Sequence, residues 1–293
     1  MAISASFYLS VRPDESFVMT KKFARLEDAF YRSIRTSNGS WKSTEHNRLD
    51  GMNDVFFRSA SHRLPPRPVV MDIGVSSGIS TLEWLLDFER RAIPVDIIAS
   101  DRTLVVYLAD LGLGFRAMLE RSGHILQVEA AKVGFRVWCA KRDYLSGSFV
   151  LRRALDLFAR ARLSRAGLAL PISAPSPILA GPHVLICPQL RGRQNVVIEE
   201  DDILRPPAPA RFRAADVIRL ANIMQRTNFT DDQMRRVAEN VQARCRGDGA
   251  FVVLCRNRGR SLEGSILRAS SSGFVVQNRL GPGSEAERYF TRP

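Results

Sequence analysis

One glycine-rich turn and three acidic stops hold the chemistry of this sequence. The run Pro68-Val-Val-Met-Asp-Ile-Gly-Val-Ser-Ser-Gly-Ile-Ser80 places a carboxylate, Asp72, ahead of Gly74, Ser76 and Gly78. A glycine in such a turn lets the backbone approach a ligand with no Cβ in the way. A second carboxylate, Asp101, closes the apolar run Val95 to Ser100 and is followed by Arg102. An ionised carboxylate only accepts hydrogen bonds and a ribose diol offers two donors, so an acid at this place suits a ribose. The third stop, Glu199-Glu-Asp-Asp-Ile203, follows Val196 to Ile198. The turn does not spell a dinucleotide fingerprint: read from Gly74, G-x-G-x-x-G needs glycines where Ser76 and Ile79 stand. No G-x-x-x-x-G-K-[ST] phosphate loop is present either. The bland alternative is a strand-to-helix turn that holds no ligand.

Those positions need a buried sheet to carry them. Val69 to Met71 reads as a short buried parallel strand, and Leu82, Leu85, Leu86 and Phe88 give the apolar side of a helix over Thr81 to Arg91. Pro94 to Ser100 is the second strand, and no further sheet element of this kind is expected until Asn195. A crossover needs only a dozen or so residues, so the intervening stretch is an insertion. Its first half is read as β-rich, over Leu104 to Leu108, Phe115 to Leu119, Ile125 to Val128 and Gly134 to Trp138. Its second half, Phe149 to Arg165, places Leu151, Leu155, Phe158 and Leu163 among five arginines, a basic amphipathic helix. After the third strand come a fourth over Ala215 to Asn222 and a helix N-capped by Thr230, with Gln233 completing a capping box. Ala250 to Cys255 is the fifth strand. Ser265 to Ala269 and Gly273 to Leu280 form an antiparallel edge hairpin. Ahead of the first strand, Phe23, Leu26, Phe30 and Ile34 mark one amphipathic helix, and Met52 to Ser61 a second short one.

The 293 residues suffice for one large α/β domain with embellishments or two small ones. The net charge of +13 favours an anionic partner, although much of it is arginine, which also follows genome composition. Cys139, Cys187, Cys245 and Cys255 form no C-x-x-C pair and no metal-ligand spacing with the four histidines, so reduced thiols in a cytoplasmic setting and no metal are expected. No signal peptide is expected, because Met1 to Val11 has no basic region ahead of its apolar run. Leu168 to Leu190 is broken by five prolines and cannot span a bilayer, which needs about 20 continuous apolar residues.

Asp72, Gly74 and Gly78, followed by Asp101, Asp202 and the fourth strand, resemble the motif series of the class I S-adenosylmethionine (SAM)-dependent methyltransferases. Ser76 stands where many members of that family carry a middle glycine. The resemblance covers about Pro68 to Asp101 and Asn195 to Leu280. It implies a Rossmann-like α/β fold: a seven-stranded, mostly parallel sheet with an antiparallel C-terminal hairpin, helices on both faces and a large insertion after the second strand. The expected organisation is an N-terminal helical cap over 1–66, a SAM-binding core over 67–103 and 192–293, and an inserted lid or substrate region over 104–191. The implied cofactor residues are Asp72, Gly74, Ser76, Gly78, Asp101, Arg102, Asp202, Ile203, Leu220 and Asn222. In this resemblance the side chain of Asp202 (or, by an offset, Asp201) meets the adenine amino group and Ile203 packs on the ring, while Leu220 to Asn222 lie near the transferred methyl. The implied activity is methyl transfer to a small-molecule or lipid-like acceptor, with release of S-adenosylhomocysteine and with anionic surface contact through the basic helix. The alternatives are a protein or RNA acceptor, and a non-catalytic binding or regulatory protein. No residue stands out as a catalytic base.

Overall fold

The computed structural model describes residues 2–207, 214–259 and 261–291. The chain divides into two compact units, one of residues 1–44 and 103–192, the other of residues 45–102 and 193–293.

The second unit is built on strands β1 (Val69–Ile73), β2 (Asp96–Asp101), β3 (Val196–Glu200), β4 (Val217–Ala221), β5 (Phe251–Arg258), β6 (Ser261–Ser270) and β7 (Gly273–Leu280). They lie in the order β7-β6-β5-β4-β1-β2-β3. The five strands from β3 to β5 are parallel neighbours, and β6 pairs antiparallel with both β5 and β7. The helices are α1 (Asp50–Ala60), α2 (Ile79–Arg90), α3 (Asp231–Arg244) and α4 (Glu287–Phe290).

Strand alternation sends successive side chains to opposite faces. Met71, Ile73, Ile98, Ile218, Leu220, Val252 and Leu254 pack with Met234, Val237 and Val241 of α3 on one face. On the other, Phe56 of α1 stands edge-on to Trp84 of α2 at 5.7 Å and to Phe251 at 6.3 Å. Burying a side chain such as Phe88 completely contributes roughly 1.5–3 kcal/mol, and Phe88 has no exposed surface. α3 begins as the sequence requires: Thr230 Oγ1 accepts from Gln233 N–H, and Gln233 Oε1 accepts from Thr230 N–H.

The first unit is a six-stranded antiparallel sheet. Its spatial order is Ala2–Ile3, Val133–Phe135, Ile125–Ala130, Phe115–Glu120, Val105–Gly112 and Leu179–Val184. One face is covered by Tyr8, Phe23, Phe30, Tyr31 and Ile34, against Val106, Leu108, Met118 and Leu126. The helix Ser148–Arg165 covers the other, with Leu155, Phe158, Ala159 and Leu163 packed on Ala117, Leu119 and Val128.

Three expectations need correcting. The N-terminal 66 residues are not one cap: residues 1–44 belong with the inserted segment and 45–66 with the parallel sheet. The physical reason is where each helix finds apolar surface, Phe23 and Phe30 on the antiparallel sheet and Phe56 on β5. The first helix is also shorter, Lys21–Arg32, and Glu27 rather than Leu26 is among its buried residues. Within the proline-broken stretch, Leu179–Val184 is a strand that pairs antiparallel with Val105–Gly112.

Candidate cofactor site

In a doubly wound sheet, ligands sit beyond the carboxyl ends of the strands where the strand order reverses. Here the order 3-2-1-4-5 reverses between β1 and β4. The turn after β1 and the exit of β4 therefore mark the site.

The turn is held by the neighbouring strand. Gly74 N–H and Val75 N–H both donate to the Ser100 carbonyl, at 2.7 and 3.1 Å, and Gly78 N–H closes the turn on Val75 O at 2.8 Å. Ser76 N–H donates to Asp101 Oδ2 at 2.7 Å. Gly74, Ser76 and Gly78 all have positive φ, +73°, +57° and +81°. For glycine this costs little, whereas for Ser76 the left-handed conformation costs about 1–2 kcal/mol. The hydroxyls of Ser76 and Ser77 are both buried with no hydrogen-bond partner. Buried polar atoms are nearly always paired with protein, water or ligand, so two orphan hydroxyls in one strained turn at the switch point call for a partner from outside the chain.

The carboxylates divide into two kinds. Asp101 at the end of β2 fastens the turn through Oδ2. Asp202, just past β3, accepts from Leu204 N–H through Oδ1 at 3.1 Å and holds Oδ2 3.9 Å from Arg102 Nε, with both side chains partly exposed. Asp201 is spent elsewhere: its Oδ2 lies 2.7 Å from a buried Arg244. The two carboxylates are about equally exposed and differ in their partners, a buried arginine for Asp201 and the exposed Arg102 for Asp202.

Asp72 is corrected. Its side chain is buried, with Oδ1 3.0 Å from Arg219 Nε and Oδ2 2.6 Å from Arg219 Nη2, and Thr81 Oγ1 also donates to Oδ2 at 2.6 Å. The pair is in register across β1 and β4. Arg219 lies 4.1 Å over the Trp84 ring and donates further to Ser80 O and Asn53 Oδ1. Asp72 thus anchors the start of α2, with its carboxylate buried and paired to Arg219.

Two further expected residues turn inward. Ile203 and Leu220 are buried in the cluster beneath α3. Asn222, at φ +59°, is held by Asn257: its Oδ1 accepts from Asn257 N–H at 2.7 Å and its Nδ2 donates to Asn257 Oδ1 at 3.1 Å. The structure thus brings Gly74, Ser76, Gly78, Asp101, Arg102 and Asp202 together around the ends of β1 to β3. Sequence reasoning missed Ser77, Arg219 and Ile223. An arginine inside the apolar strand Val-Ile-Arg-Leu-Ala was a readable signal that a buried carboxylate had to meet it. A Cβ on Gly74 would collide with Ile223 Cδ1, so the Ile223 side chain fills the space facing that glycine.

The strand order and the switch-point turn define a Rossmann-like α/β fold. No family model and no curated protein matches the sequence. Solved structures that match it are methyltransferases. One is a protein-L-isoaspartate O-methyltransferase from Plasmodium falciparum in complex with S-adenosyl-L-homocysteine, at 11% identity over 91% of this chain and 87% of that one, TM-score 0.34. Another is an rRNA methyltransferase from Streptomyces viridochromogenes, at 14% identity over 87% and 86%, TM-score 0.34. A third is the CMeT domain of the citrinin polyketide synthase, at 13% identity over 78% of this chain, TM-score 0.31; the chain spans 47% of that structure's length. Alignments this distant carry no weight for chemistry, and the site rests on the geometry of the turn and the strand ends.

Proposed function

We propose that the second unit binds SAM and that the chain is a methyltransferase. The observation that carries the reading is the pair of unpartnered buried hydroxyls, Ser76 and Ser77, in a turn tied to Asp101 at the switch point. Bound there, SAM supplies a sulfonium-activated methyl group for direct in-line displacement. The residues of the chain bind and orient. The turn N–H groups and serine hydroxyls meet polar groups of the cofactor. Asp101, which accepts from the turn through one oxygen, takes the ribose side, and the partly exposed carboxylate of Asp202 takes the adenine amino group. Arg102 supports Asp202. Alignment of nucleophile and methyl is the main contribution such a site makes.

A small-molecule or lipid-like acceptor is the reading we favour over nucleic acid. Several arginines of the basic helix are engaged within their own unit: Arg153 and Arg160 flank Asp156 at 3.7 and 2.9 Å, and Arg162 Nε donates to Leu111 O at 2.6 Å. A protein or RNA acceptor predicts binding that weakens steeply with salt, a small neutral acceptor does not.

One observation favours the non-catalytic alternative: Ile223 occupies the space facing Gly74, where a cofactor would pass closest to the backbone. Calorimetric titration with SAM and S-adenosylhomocysteine decides. The expected result is saturable binding to the wild type, a loss of at least tenfold in Asp202→Ala and Ser77→Val, and equal or tighter binding in Ile223→Ala. Absence of binding by both wild type and Ile223→Ala would overturn the proposal.

A further inference from the structure

A cavity lies wholly within the first unit, between Gly134 to Arg136 and the start of the helix Ser148–Arg165. Its volume is about 460 Å³, in the range of sites for small organic ligands. Among the described residues, four arginines line it, Arg32, Arg136, Arg142 and Arg152, and no Asp or Glu does. Arg136 and Arg152 share one acid set back from the wall: Asp143 lies 2.6 Å from Arg136 Nη2 and 3.3 Å from Arg152 Nη2. Asp143 also accepts from Ala140 N–H at 2.6 Å and from Ser148 Oγ at 3.2 Å, so it cannot balance both cations. Arg152 Nε is buried and has no hydrogen-bond partner. Arg32 carries its own acid, Asp28, at 2.8 Å from its Nε, so the surplus charge is that of Arg136, Arg142 and Arg152 against Asp143. Against these cations stands an apolar wall that includes Trp138 and Leu151, the latter 56% exposed.

We infer that this cavity binds a phosphate monoester carried on an apolar group. The charge count calls for more than one negative charge. A carboxylate would satisfy one guanidinium fork, whereas the three free oxygens of a phosphate meet several at once. Burial and the neighbouring Arg152 already act against the charge on Arg136, which an anion in the cavity would relieve. The apolar wall then selects what the phosphate is attached to. The site owes nothing to the cofactor turn, which lies in the other unit.

The test uses the full chain, titrated calorimetrically with inorganic phosphate, octyl phosphate and octanoate. A parallel arm uses phosphatidylcholine vesicles with and without phosphatidic acid. Octyl phosphate is expected to bind at least tenfold more tightly than either inorganic phosphate or octanoate. Arg152→Gln is expected to lose at least tenfold and Arg142→Gln a smaller factor, with SAM binding unchanged in both. Selective capture by phosphatidic acid vesicles would place the phosphate on a lipid, and binding of the soluble ester alone would place it on a free metabolite. Should Arg152→Gln fail to fold, the exposed Arg142→Gln decides by itself. Equal affinity for octanoate, no saturation with either phosphate, or full affinity in the foldable variants would overturn the inference.

Discussion

Each unit buries an arginine–carboxylate cluster, and the two are balanced differently. In the parallel sheet one guanidinium meets one carboxylate with both forks engaged, Arg219 on Asp72, and the remaining donors find Ser80 O and Asn53. In the antiparallel unit two guanidiniums share Asp143 and one N–H of Arg152 is left over beside a cavity. A cluster whose charges close on themselves can only hold structure together. A cluster with surplus charge next to empty volume is stable only where solvent or a ligand completes it. The lesson is that the most buried ion pair in a molecule is the poorest guide to its chemistry.

The sharpest way to break the comparison is to open the closed pair. Arg219→Ala leaves the Asp72 carboxylate buried and unpaired, which typically costs about 3–5 kcal/mol. A chemical denaturation curve should show that loss with an unchanged slope. Replacing both partners together, as Asp72→Leu with Arg219→Met, should recover most of it, because no charge is then stranded. A double variant as unstable as the single one would mean that the pair has a role beyond mutual compensation.

The open cluster should respond in the opposite sense. Asp143→Asn removes the one carboxylate there, whose acidity is strengthened by the Ala140 N–H and by the adjacent arginines. Thermal unfolding should fall by less than for Arg219→Ala, and octyl phosphate should bind more tightly than to the wild type. Weaker binding would show that Asp143 orients the guanidiniums more than it competes with the ligand.

Gly74→Ala tests the turn that the closed pair supports. Gly74 has φ +73°, so the substitution costs about 1–2 kcal/mol in backbone strain. Its Cβ also meets Ile223 Cδ1, the end of a flexible side chain that can move. Stability should therefore drop modestly while SAM affinity drops at least tenfold. Coupling Gly74→Ala with Ile223→Ala should restore stability more than affinity.

Much of this was legible in the sequence because the signals are local. The glycine turn, the acid closing β2, the Thr230 capping box and the terminal hairpin each depend on a few adjacent residues, and the long gap between Asp101 and Asn195 announces an insertion by its length alone. What was not legible depends on partners far apart in the chain. Asp72 meets Arg219 across 147 positions, and Arg244 draws in Asp201 across 43. The helix at Phe23 and the helix at Phe56 each present an apolar side, and nothing local says which sheet each will cover. Leu220 is a different case: it sits two residues from Ile218, and period-two alternation already puts both on the core face.

The smallest effect concerns a second cation kept in check in the antiparallel unit. His183, in the strand Leu179–Val184, has a buried Nε2 with no partner. Burial first, and Arg191 second, hold its pKa below the ordinary 6.5. The folded form therefore binds its proton less readily than the unfolded chain. Stability from this group is complete above pH 6.5 and is lost as pH falls from there through the folded-state value. Thermal unfolding at pH 7.5 and pH 5.5 should show a larger acid loss for the wild type than for His183→Gln, with the other three histidines common to both. Equal losses would mean that this histidine reaches water in the folded state, and that surplus positive charge in the antiparallel unit is confined to the arginine cavity.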